Sequence, residues 1–367
     1  MRIAKPLLLS TMLWCAVSST GAPAAPTSRW TEPRANEWYA KQPWLIGSNY
    51  IPRSAINELE MWQEATFNPE QIDQELGWAE SLGMNTMRVF LHDLLWQQDA
   101  DGFKKRIDQF LTIAAKHHIR PFFVLFDSCW DPLPHLGPQH PPIPGVHNSG
   151  WVQSPGAVAL GDPRQYPRLK AYVQGVVGAF AKDDRILAWD IWNEPGNGNM
   201  GSYAKEELQD KTARVLVLLP QAFAWAREVS PTQPLTSGVC CVDQAPDGSH
   251  LGAIEQIQLR ESDIVTFHNY SWPEYFKREV GWLKKYNRPV ICTELWRARW
   301  AAPSTRFCPS PRKKKWERST GDSSSAGRKR TYPGNRGSIP TSSSGLRCGS
   351  MKCSIPTESP IARRRRI

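Results

Sequence analysis

No apolar run in the 367-residue chain is long enough to cross a bilayer. The longest, Pro6–Val17, covers about twelve residues where a spanning helix needs roughly twenty. The composition is equally far from that of a fibre. Charged residues are 22% and residues of the AVILMFWYC set 40%, with 17 tryptophans, which excludes collagen, a coiled coil and wholesale disorder. Metal-type cysteine spacing is also lacking. Of eight cysteines, Cys15 lies in the leader and Cys308, Cys348 and Cys353 in the final segment; Cys129, Cys240, Cys241 and Cys292 read mostly as buried thiols, with one disulfide open to them. What remains is length enough for two average domains or one large α/β barrel.

Excess positive charge is absent from most of the chain. The formal net charge of +10 comes from residues 301–367, which hold 16 Lys/Arg against 3 Asp/Glu, so residues 1–300 carry 29 basic and 32 acidic side chains. A nucleic-acid partner is therefore not expected of the folded part.

The amino terminus has the parts of an export signal: Arg2 and Lys5, the apolar Pro6–Val17, and Ala22-Pro23-Ala24 as a small-x-small cleavage site. The expectation is a signal peptide over residues 1–25, a secreted or periplasmic product, and no stable membrane anchor after cleavage. An uncleaved anchor is the alternative.

From about residue 44 to 296, short β-branched runs alternate with amphipathic stretches of helical length, the pattern of a parallel sheet with crossover helices. Strands are predicted at Trp44–Asn49, Thr86–Leu91, Arg120–Phe126, Ile186–Ile191, Leu235–Val239, Ile264–His268 and Val290–Thr293. Helices are predicted at Pro69–Ser81, Phe103–His118, Tyr166–Ala181, Lys211–Val229 and Pro273–Tyr286. Seven βα units over residues 26–300 fit an α/β (β/α)8 TIM barrel, incomplete at its eighth strand, better than a doubly wound sheet.

Chemistry in such barrels lies at the carboxyl ends of the strands. The polar residues there are Asn49, Tyr50, Arg88, His92, Asp127, Asn193, Glu194, His268, Tyr270 and Glu294. Trp189-Asp190-Ile191-Trp192-Asn193-Glu194-Pro195 and Arg288-Pro289-Val290-Ile291-Cys292-Thr293-Glu294 each end a buried strand on a carboxylate. Two such carboxylates converging on one bond are what glycoside hydrolysis needs. Trp130, Trp192, Trp272 and Trp296 recur near strand ends, and Trp272 and Trp296 are the better candidates to stack on a sugar.

On W-N-E-P at 192–195 and V-I-C-T-E at 290–294 followed by Leu295-Trp296, the chain resembles the family 5 glycoside hydrolases, the cellulase and mannanase family, over roughly residues 40–300. The resemblance implies a retaining barrel enzyme with Glu194 as acid/base and Glu294 as nucleophile. It also implies Arg88 supporting the nucleophile, Asn193 contacting a sugar hydroxyl, and His268 and Tyr270 as the pair on the sixth strand. A raised pKa for Glu194 and a lowered one for Glu294 would then be expected. The third strand, ending Phe126-Asp127-Ser128-Cys129-Trp130, lacks the histidine many relatives carry there. A carbohydrate is the expected partner, and no metal or cofactor is expected.

Gly196-x-Gly198-x-x-Gly201 imitates a dinucleotide fingerprint, but it follows the fourth strand and lacks the acidic partner, so it reads as a loop beside Glu194. Pro132–His147 reads as a stiff loop walling a cleft, and His135 and His140 as isolated loop histidines. After Trp300 the periodicity stops. Residues 301–367 read as a basic Ser/Arg-rich tail, either disordered and binding polyanions through Arg363–Arg366 or the product of a shifted reading frame. In the frame that takes each third base with the next two, the codons through Asp322 permit A-I-N-W-G, the kind of eighth strand the barrel requires. A non-catalytic carbohydrate-binding barrel, or a hydrolase inactivated by the frameshift, are the alternatives to an active enzyme.

Overall fold

In a computed structural model of the protein, the described residues are 28–146, 148–199, 203–240 and 249–295, together with the backbone of a strand at Gly349–Ile355. Residues 1–27, where a signal peptide is expected, and Trp296 with the rest of the carboxyl-terminal segment lie outside them.

The strands are β1 (Ile46–Tyr50), β2 (Thr86–Phe90), β3 (Arg120–Asp127), β4 (Ala188–Asn193), β5 (Leu235–Thr236), β6 (Val239–Cys240), β7 (Val265–Asn269), β8 (Val290–Leu295) and β9 (Gly349–Ile355). They form one sheet in the order β5-β4-β3-β2-β1-β9-β8-β7-β6. Its two ends belong to a single stave: β5 pairs with β4, and after Ser237-Gly238 the chain continues as β6, which pairs with β7. The sheet therefore closes on itself as an α/β barrel. Neighbours from β1 to β5 and from β6 to β8 run parallel, so the carboxyl ends of seven staves share one rim. Among the described residues no helix is long and apolar enough to cross a membrane.

The eighth place corrects one expectation. No parallel eighth βα unit is present among the described residues, in line with the sequence, but a strand does occur after residue 300. β9 lies antiparallel to both β1 and β8, pairing Ser48 with Met351 and Ile291 with Ser354. The physical reason is the exposed N–H and C=O groups along both edges, which any extended backbone within reach can satisfy. Gly349-Ser-Met-Lys-Cys-Ser-Ile355 carries one β-branched residue, so side-chain pattern gives no sign of it.

The helices that cover the sheet are α1 (Glu32–Ala40), α2 (Glu58–Trp62), α3 (Pro69–Ser81), α4 (Asp93–Lys116), α5 (Ala157–Gly161), α6 (Tyr166–Ala179), α7 (Lys211–Glu228), α8 (Ala253–Glu261) and α9 (Pro273–Leu283). Local chemistry sets several of their ends. Asn68 accepts from the Gln71 N–H at 3.0 Å, and Pro69 sits where its missing N–H costs nothing, so α3 begins where the sequence places it. Helix α4 starts ten residues earlier than predicted because His92 caps it by accepting from the Leu94 N–H. Asp99, at φ −159° and ψ 84°, breaks the helical turn and hides the first part from periodicity.

The core lies between sheet and helices. Trp62, Phe103, Phe110, Phe123, Trp189 and Trp192 are fully buried within one large apolar cluster, each side chain contributing about 1.5–3 kcal/mol by leaving water. Gly47 is required by close approach, since a Cβ there would meet the Thr86 carbonyl oxygen at 1.9 Å. The ladder register then sets side by side the residues that matter at the rim: Asn49 opposite Arg88, Asp127 opposite Asn193, and His268 opposite Glu294.

Candidate active site

Glu194 is the residue after β4, where the chain turns out of the sheet. Its φ of 45° is left-handed, a conformation that costs a non-glycine residue about 1–3 kcal/mol and occurs mostly where surroundings enforce it. The side chain is enforced on both oxygens. Oε1 accepts from His268 Nδ1 at 2.8 Å, and Oε2 accepts from Asn197 Nδ2 at 2.8 Å and from the Cys129 thiol at 3.3 Å.

Glu294, near the end of β8, is held by a different set. Its Oε1 accepts from Arg88 Nη1 at 2.7 Å and from Asn49 Nδ2 at 3.2 Å, and its Oε2 accepts from the Tyr270 hydroxyl. His268 stands between the carboxylates, its Nε2 lying 3.7 Å from Glu294 Oε1 with no hydrogen-bond partner of its own. Both glutamates thus face one imidazole. Gly238 leaves room for that ring: a Cβ there would lie 3.2 Å from Nε2.

Arg88 organises the floor. Fully buried, it donates from Nε and Nη2 to Asp190 at 3.0 and 2.6 Å and from Nη2 to Asn193 Oδ1 at 2.7 Å, besides reaching Glu294. Burial alone would weaken its hold on the proton, yet Asp190 and Glu294 push its pKa above the ordinary arginine value. Asn193 passes the network on, donating to Asp127 Oδ1 at 2.9 Å. Asp127 also accepts from Trp151 Nε1 at 2.7 Å and from the Cys129 N–H at 2.9 Å, and burial still raises it to about 6.

The acid–base division read from the sequence does not hold for Glu194 in the unliganded site. Burial pushes the carboxyl up, but the hydrogen bond and charge of His268, with help from Cys240 and Asn197, hold it well below the usual carboxylate range. His268 mirrors this. Burial lowers it, while Glu294 and Glu194 raise it above the ordinary histidine value. Both shifts draw the proton toward the imidazole, 2.8 Å from the carboxylate expected to carry it. The support expected for Glu294 is present: a guanidinium and a phenol both donate to it.

Other residues singled out by sequence fall in different places. Trp192 is core, its Nε1 donating to Ser128 Oγ at 2.9 Å. Tyr270 and Trp272 are exposed at the rim, 43% and 45%, as a platform requires, whereas Trp296 is outside the described residues. His92 is buried as a helix cap. The rings of His135 and His140 are exposed, with Nδ1 against neighbouring loop carbonyls. Gly196 lies in the turn after β4 and Gly198 just beyond it, and among the described residues the next helix, α7, starts at Lys211, so no helix is seen opening on the glycine run. Cys129, Cys240 and Cys292 are thiols rather than halves of a disulfide.

Three contributors escaped the sequence reading. Asp190 anchors Arg88, Asn197 holds Glu194, and Cys240, read as a buried thiol, is half-buried with its side chain on Glu194. The signal available for Cys240 was positional: it follows the fifth predicted strand at the same rim.

No family model matches the chain, and no curated protein matches it. Among solved structures it is similar to an exo-β-1,4-mannosidase from Opitutaceae bacterium strain TAV5, at 22% identity and TM-score 0.49 over 72% of this chain and 48% of that one. It is also similar to an endo-1,4-β-mannanase from Rhizomucor miehei, at 17% identity and TM-score 0.46 over 68% and 77%. A third is an endo-β-1,4-mannanase from Thermotoga petrophila, at 14% identity and TM-score 0.44 over 69% and 61%. The chain thus spans about half the length of the first of these. The likenesses are of backbone only, and the chemistry of the site stands on its own side chains.

Proposed function

We propose that the protein is a β-glycoside hydrolase that works by double displacement. One observation carries the reading: the glutamates at the ends of β4 and β8 meet across His268, one tied to that imidazole and the other to Arg88 and Tyr270.

Glu294, kept anionic by Arg88 and oriented by Tyr270, attacks the anomeric carbon. The C–O bond to the leaving sugar breaks as Glu194 protonates that oxygen, having received the proton from His268 Nδ1 when the sugar displaces water. Glu194 then removes a proton from water, whose oxygen attacks the same carbon and releases Glu294 with net retention. Trp272 and Tyr270 at the rim supply aromatic surface for the sugar face. The amino-terminal basic and apolar segments support an exported product.

The test is hydrolysis of a panel of mannan, cellulose, xylan and aryl β-glycosides, with the first-formed anomer read by NMR. Glu294→Gln and Glu194→Gln are each expected to lower kcat by about 10²–10⁴-fold. For Glu194→Gln the loss should shrink on aryl glycosides, whose leaving group needs little protonation. Binding without turnover across the panel would favour a non-catalytic carbohydrate-binding barrel, and an inverted product would end the double-displacement reading.

A further inference from the structure

We propose that Glu194, Cys240 and His268 form a binding site for a zinc-like divalent cation, and that its occupation shuts the hydrolytic centre. One carboxylate oxygen, one thiol sulfur and one imidazole nitrogen from these residues all lie within 4.8 Å of one another. Ligand atoms around a tetrahedral zinc sit about 3.5 Å apart, so a modest contraction completes the shell. The donor set is selective: a thiolate and an imidazole suit zinc and its soft neighbours, whereas calcium and magnesium prefer all-oxygen sites.

A second observation points the same way. His268 Nε2 is fully buried, has no hydrogen-bond partner, and faces Glu294 Oε1 at 3.7 Å. A metal on Nδ1 would fix the proton on Nε2 and aim it at that carboxylate, the arrangement in which metal-bound histidines are commonly steadied. The elements converge without rearrangement. Cys240 ends β6, His268 lies on the neighbouring β7 directly opposite it, and Glu194 follows β4 across the shared stave. A water would complete the shell, and Cys129 and Asn197 already hold Glu194 Oε2, leaving Oε1 for the cation.

Binding exchanges the cation for the thiol proton of Cys240 and the proton shared between His268 and Glu194, both released to solvent. No redox step is involved. The consequence for catalysis rests on the hydrolase reading above: with Glu194 and His268 ligated, no proton can reach the leaving oxygen. The site itself does not depend on that reading.

The experiment titrates the full chain with cobalt(II) as a spectroscopic stand-in, then with zinc in competition. One equivalent should produce a thiolate-to-cobalt charge-transfer band that zinc bleaches. Cys240→Ser should abolish the band and weaken zinc binding at least tenfold, Cys241→Ser should leave the band in place, and Cys240→His should restore zinc affinity without it. A wild-type chain with no band at one equivalent overturns the site whatever the variants do, as does equal zinc affinity in Cys240→Ser. Full turnover with zinc bound overturns the shutting. A chain that hydrolyses nothing even without metal defeats the hydrolase reading instead, and the cobalt band still decides the site.

Discussion

The two sides of the barrel are built to different standards. From β1 to β4 the ladders run four or five residues each and rest on the large apolar cluster around Trp62, Phe110 and Trp189. From β5 round to β9 the stave is split at Ser237-Gly238, each half pairs over two residues, the apolar cluster is smaller, and the last place is filled antiparallel. The candidate site straddles the two. Arg88, Asn193 and Glu194 come from the regular side, while His268, Tyr270 and Glu294 come from the side with the seam. The polar network is thus the bond between halves as well as the chemistry, and a fault on either side should reach the reaction.

The largest expected effect comes from removing β9. A chain ending at residue 348 leaves unpaired edges on β1 and β8, one on each side of the seam, and the outcome expected in size-exclusion chromatography and light scattering is a shift toward aggregates. Met351→Pro, which deletes a backbone donor opposite Ser48, should move the same way by less. A fully monomeric truncated chain with unchanged thermal unfolding would mean that the seam needs no eighth stave.

Next in size is Arg88→Met. The substitution keeps the stem but strands Asp190 and Glu294 in the interior, and breaking a buried pair in this way costs about 3–5 kcal/mol. Urea unfolding should show that loss together with a collapse of kcat, because Glu294 loses its main donor. Normal stability with reduced activity would show that the guanidinium serves chemistry alone and does not join the halves.

The same contrast explains what could be read from the sequence. On the regular side, β2, α3 and the start of α6 fall where periodicity and caps place them, since a strand buried on both faces and a helix with Asn-Pro at its start write themselves into local composition. Glu194 and Glu294 stand out in the sequence as two carboxylates that each end an apolar run, whereas the contacts of Arg88 and Tyr270 with Glu294 are expected only from the family resemblance. The seam was not legible. β9 answers to unpaired backbone, which no side-chain pattern announces, and the close approach of His268 to Gly238 joins residues 30 apart in the chain. Nor could the low proton affinity of Glu194 be read, because it depends on an imidazole 74 residues away.

The smallest effect tests a weakness of the regular side. Asp127 ends β3 deeply buried; burial raises its pKa to about 6, which the donors from Asn193, Trp151 and Cys129 only partly offset. An unfolded aspartate titrates near 3.9, so between about pH 4 and 6 the folded chain binds more protons than the unfolded one. Stability from this group is therefore fully present below about pH 4 and is lost as pH rises through 6, by about 3 kcal/mol in all. Asp127→Asn removes the titration and leaves a constant offset, since an amide NH2 now faces one of the donors. Exposed carboxylates such as Asp73 and Glu80, held low by hydrogen bonds from Lys116, His117 and His118, act in the opposite direction in both proteins and cancel in the difference. Urea midpoints measured from pH 4 to 7 should then fall for the wild type relative to the variant. Parallel curves would place the Asp127 proton balance outside folding and leave the regular side without a joint that weakens as pH rises.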